Sequence, residues 1–72
     1  MRIMTITLSI GQPSSFIYTN WQGVTAERTI TPVMIWYGSN SYHPDPQWFV
    51  DGFCHDRKAM RSFTLKDMRP TN

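Results

Sequence analysis

Near the N-terminus Met4, Ile6, Leu8 and Ile10 alternate with Ile3, Thr5, Thr7 and Ser9, the period-two pattern of a strand with one buried face. Gly11-Gln12-Pro13 breaks that run, and Phe16 to Trp21, rich in β-branched and aromatic residues, continues into a turn at Gln22-Gly23. Thr25 to Tyr37 is long enough for a further strand. Pro32 has no N–H for a ladder, so the expectation is a strand sharply bent at that point. Gln47 to Cys54 reads as the next strand, with Gly52 marking a bulge or a close backbone approach. His55-Asp56-Arg57-Lys58 then makes a hairpin turn into Met60 to Leu65. Five or six short strands in so small a chain predict an all-β fold, a strongly bent barrel, because a flat sheet leaves edges and exposes one face.

Composition narrows this picture. The chain has 72 residues, 40% hydrophobic and 17% charged, so the expectation is a single small domain over residues 1–72. Its core is marginal, since a domain of about 60 residues buries only about 60% of the surface its unfolded chain exposes. An aromatic content of 14% argues against disorder and for a compact core. Cys54 is the one cysteine, so no internal disulfide is expected, and a reducing, cytoplasmic setting is the natural one. The N-terminal run is too short and too polar for a signal sequence or a membrane span, and no membrane partner is expected.

Charge is uneven along the chain. Residues 57–72 hold five basic residues against Asp67, whereas residues 1–56 hold two against four acidic ones. A basic cluster beside aromatic residues suits a phosphate-bearing ligand or nucleic acid; an ordinary solvated face is the plainer reading.

From Tyr18 to Met68 the succession of pieces resembles a WYL domain. The residues that carry the resemblance are Ile17 to Asn20, the Gly23 turn, Arg28 with Ile30 and Pro32, Ile35 with Tyr37, the triplet Trp48-Phe49-Val50 where the family writes Trp-Tyr-Leu, and Arg61-Ser62-Phe63 followed by Leu65 and Met68. The triplet departs from the family by lacking the tyrosine hydroxyl, and Thr64 stands where many relatives carry arginine. The resemblance implies a small SH3-like or Sm-like β-barrel, of the kind found in bacterial transcription factors and defence-associated regulators. It implies a regulatory, ligand-sensing role. A free-standing barrel of this sort is expected of phages and mobile elements.

No Gly-x-Ser-x-Gly elbow is present, and Cys54 and His55 are adjacent on a strand, hence on opposite faces. Cys54 reads as a small buried hydrophobe. His43, Asp45, Cys54, His55 and Asp56 fit no zinc spacing, so no metal and no cofactor is expected, and no enzyme activity. The candidate ligand-binding residues are Arg28, Tyr37, His43, Trp48, Arg57 and Arg61. Guanidinium forks grip phosphate bidentately and an aromatic face holds a base, so together they suit a nucleotide-like ligand or a short or cyclic oligonucleotide. Against this stand structural readings: Arg28 paired with Glu27 or Asp51, Arg61 with Asp56 or Asp67, His43 in an ordinary loop hydrogen bond, and Trp48 in the core. Two further roles are open. One is an interaction protein acting by homo-oligomerisation or by docking on a host complex; the other is weak binding of single-stranded nucleic acid.

Overall fold

The computed structural model describes residues 5–71. Five strands form one antiparallel sheet: β1 (Ser14–Thr19), β2 (Thr25–Gly38), β3 (Gln47–Cys54), β4 (Ala59–Thr64) and β5 (Met68–Arg69). A single 3-10 turn, Leu65–Asp67, separates the last two. Strand order is β4-β3-β2-β1-β5, so neighbours in the chain are neighbours in the sheet until β5 returns to β1. No helix among the described residues is long and apolar enough to cross a membrane.

The sheet curls because β2 is shared between two partners. Its first half pairs β1, from Thr25 opposite Thr19 to Ile30 opposite Ser14, and its second half pairs β3, from Ile30 opposite Cys54 to Gly38 opposite Gln47. Between Pro32 and Met34 the register slips, which bends the strand where its missing N–H would break the ladder. Gly52 faces Pro32 there: a Cβ on it would lie 2.9 Å from the Thr31 carbonyl oxygen and 3.3 Å from Pro32 Cα. The bend at Pro32 and the close approach at Gly52 thus appear as the sequence led one to expect.

Curling brings β4 over β1, with two strands between them in the ladder. Phe63 packs edge-on against Tyr18 and Phe16, with ring centroids 4.9 and 5.5 Å apart. Together with Ile30, Val50 and Cys54 these rings form the core, flanked by Ile6, Leu8, Leu65 and Met68. Cys54 is buried and free, the small hydrophobe expected. The Tyr18 hydroxyl accepts the backbone N–H of Thr64 at 3.0 Å and lies 3.1 Å from the Thr64 hydroxyl, so both buried polar groups are satisfied.

Closure stops short of a barrel. β5 has two residues and pairs β1 only through Ile17 with Arg69 and Tyr18 with Met68, and β4 and β5 are joined by the 3-10 turn, not by a ladder. The N-terminal alternation also departs from expectation. Among its described residues, Thr5 to Ser9 are not strand, and residues 1–4 lie outside the described part. β1 is laddered along its length to β2 and at Ile17 and Tyr18 to β5, and this segment packs Ile6 and Leu8 on the core without a ladder of its own. It is tied by the Ser14 hydroxyl donating to the Thr7 carbonyl at 2.9 Å and the Gly11 N–H donating to the Pro32 carbonyl at 2.8 Å.

Candidate functional site

Because Phe16 stands opposite Arg28 and Gly52 opposite Arg61, both arginines project from the face of the sheet that carries the core. A charge there is costly unless it reaches a rim or a partner. Both reach a rim, for they line an open cavity of about 470 Å³ floored by Tyr18, Cys54 and Phe63. Arg57, from the β3–β4 turn, joins them on its wall. The turn holds its shape through Lys58 in the left-handed region at φ 52°.

Two loops complete the cavity, and each is built around an asparagine. Asn20 Oδ1 accepts the N–H groups of Gln22 and Val24, both at 2.9 Å, and Gly23 takes the φ of 81° that closes the turn. Asn40 Oδ1 accepts those of Tyr42 and His43 at 3.0 and 2.8 Å. Each loop thereby presents one aromatic ring. Trp21 and Tyr42 meet at 5.4 Å between centroids, tilted by 34°, with 59% and 62% of their surface still in water. The loop after β2 therefore folds back toward the β1–β2 turn.

His43 lies beside them on the cavity wall, its ring 6.0 Å from that of Phe49. Its charge also reaches Asp67. Burial pushes that carboxyl up, but the hydroxyl of Thr64, the ammonium of Lys66 at 3.1 Å and the charge of His43 outweigh burial and hold its pKa below the usual value of 3.8.

Electrostatically the cavity is left positive. Arg28, only 17% exposed in its side chain, reaches Asp56 at 4.0 Å, a long pairing with neither Glu27 nor Asp51. Asp51 is occupied elsewhere, accepting from Trp36 Nε1 at 2.9 Å and from the Ser62 hydroxyl at 2.6 Å. Among the described residues Arg57 and Arg61 form no ion pair, and no cluster of three metal-ligating side chains occurs.

Of the residues singled out from sequence, the structure brings Arg28, His43, Arg57 and Arg61 to one cavity. It sets Tyr37 and Trp48 apart from them. These two are cross-strand neighbours packed edge to face at 5.3 Å, 59% and 54% exposed, so Trp48 is not a core residue. The aromatic core position of the triplet is Phe49, fully buried and stacked on Trp36 at 4.3 Å. Sequence reading missed Trp21, Tyr42 and the two asparagines. Their signal is an Asn at each hairpin corner followed within two residues by an aromatic, the residue type whose side chain caps its own turn.

The fold and site thus define a small, curled antiparallel sheet with a cationic, aromatic-rimmed cavity. The family model of the WYL domain matches residues 8–71, so the chain belongs to the WYL-domain family, whose members are generally ligand-binding, regulatory domains. No curated protein and no solved structure matches the chain.

Proposed function

We propose that this protein is a non-enzymatic receptor for a nucleotide-like ligand, a short or cyclic oligonucleotide, which it senses or sequesters. The single observation that carries the reading is the meeting of Arg28, Arg57 and Arg61 in one cavity beneath the exposed Trp21–Tyr42 pair. Guanidinium groups supply bidentate grips for phosphate, and the rings supply a face for a base. Family membership supports binding over chemistry, and the cavity offers neither a nucleophile next to a base nor a metal cluster among the described residues. The volume of about 470 Å³ is of the order that small-molecule sites take, roughly 300–1,000 Å³.

Titration calorimetry against cyclic dinucleotides and short linear oligonucleotides, in moderate salt, tests the proposal. One ligand class binds, and Arg61→Ala weakens it by about ten-fold or more, since hydrogen bonds to charged groups contribute about 1.5–3 kcal/mol. Trp21→Ala weakens the same ligand by a similar factor and Trp48→Ala does not, because stacking is worth about 1–3 kcal/mol per base. Silence across the panel, or binding untouched by Arg61→Ala, overturns it.

A further inference from the structure

The second half of β2 is an uncovered edge. β1 pairs β2 no further than Ile30, and beyond it the Gly11 N–H reaches only the Pro32 carbonyl. From Met34 to Gly38 the strand is laddered to β3 on one side, and among the described residues nothing bonds its other side. Every second residue there leaves an N–H and a C=O pointing outward.

The side chains along this edge are apolar and open. Val33, Met34, Ile35 and Tyr37 are all about half exposed, as is Trp48 beside Tyr37. The devices that usually blunt an edge are lacking along it. From Thr29 to Pro44 the sequence holds no acidic residue, no lysine and no arginine, and the bulge and the proline both precede Met34. The sheet's outer strands are protected, β5 by having two residues and β4 by carrying Arg61, and the unladdered side of the first half of β2 carries Glu27 and Arg28.

We propose that this edge is where a second copy of the chain docks, so that two β2 strands pair antiparallel and the two sheets become one. The run Met34–Gly38 has Trp36 at its centre, and a two-fold axis there sets Ile35 of each copy opposite Tyr37 of the other. That match of a β-branched residue with an aromatic is among the favourable cross-strand pairs. Identity of the partner follows from charge. An uncharged segment meets an identical uncharged segment without repulsion, whereas a basic or acidic partner strand finds no counter-charge here. Tyr37 and Trp48 expose over half of side chains that bury about 150–250 Å² each, and with Val33, Met34 and Ile35 the patch offers roughly 500 Å² per copy. That lies just under what stable pairs bury, about 600–1,000 Å² on each side, and is the size of a weak, concentration-dependent dimer. The cavity of the three arginines lies apart from this edge, so dimerisation and ligand binding stand or fall separately.

Sedimentation velocity over a concentration series decides it. The whole chain sediments as a dimer at roughly 100 µM, where a micromolar interface is saturated. Ile35→Lys and Tyr37→Lys each give monomers with an unchanged β-type circular dichroism spectrum; if one of them unfolds, the other carries the test. Met60→Lys, on the β4 edge, stays dimeric. A wild-type monomer at that concentration overturns the proposal, as does a dimer indifferent to both lysines or one that Met60→Lys dissolves.

Discussion

Tyr18 does two jobs at one position. Its ring packs on Phe16 and Phe63, while its hydroxyl satisfies the backbone N–H of Thr64 at the end of β4. That second contact spans 46 residues and, beside the ring packing, ties β4 to β1 in the absence of a ladder between them. Removing the hydroxyl leaves the ring in place and strands a buried N–H, whose desolvation costs about 1–3 kcal/mol. Tyr18→Phe therefore lowers stability in chemical denaturation by about that amount, with a shifted midpoint and little change in slope. A loss near zero would mean that water reaches Thr64. At this scale the sequence was readable in part. Cys54 announced itself as a buried hydrophobe, but nothing about Tyr18 foretold a hydroxyl bond to a residue so far along the chain, because such a bond exists only once the sheet has curled.

Among the elements, the 3-10 turn between β4 and β5 has the clearest electrostatic dependence. Asp67 at its end accepts from the Thr64 hydroxyl and the Lys66 ammonium, and these with the His43 charge outweigh burial and lower its pKa. A carboxyl whose folded pKa lies below its unfolded value of 3.8 contributes stability that is fully present above 3.8 and is lost as pH falls through the folded pKa. Thermal melts of the wild type and of Asp67→Asn should thus differ most above pH 3.8 and converge as the solution is acidified below it. A gap that stays constant through that range would show that the charge of Asp67 plays no part. The strands themselves show how far alternation reaches. Gln47–Cys54 and the turn at residues 55–58 followed from pattern and from glycine and polar punctuation. Thr5 to Ser9 alternate just as well and form no strand, since alternation marks which face is buried and is silent about which strand lies alongside to pair with.

For the whole molecule, net charge and local charge tell different stories. The formal charge is only +2, which suggests weak attraction for any polyanion. Folding changes the outcome by sorting the charges: Asp51 is engaged by Trp36 and Ser62, Asp67 by Lys66, and the cavity keeps Arg28, Arg57 and Arg61 with only Asp56 near at 4.0 Å. That sorting was half legible. The three arginines and His43 were picked out by residue type, but the rings expected beside them were Tyr37 and Trp48. Those lie beyond the bulge, and Trp48 is four residues along β3 from the Gly52 that faces Arg61, about 13 Å at strand rise. The rings that do flank the cavity sit in loops, where no periodicity points to them. If three guanidinium groups hold the ligand, the salt dependence of binding a short single strand should count them. Each neutralised phosphate contributes about −0.7 to the slope of log affinity against log salt, so three give roughly −2. Arg61→Ala should lower the slope to about −1.4 along with the affinity. Arg69→Ala, on β5, outside the cavity lining and engaged with the Thr19 hydroxyl, should leave both unchanged. A slope much steeper than −2 that also falls in Arg69→Ala would instead describe a strand laid across the whole basic C-terminal end, with the cavity as only one part of the track.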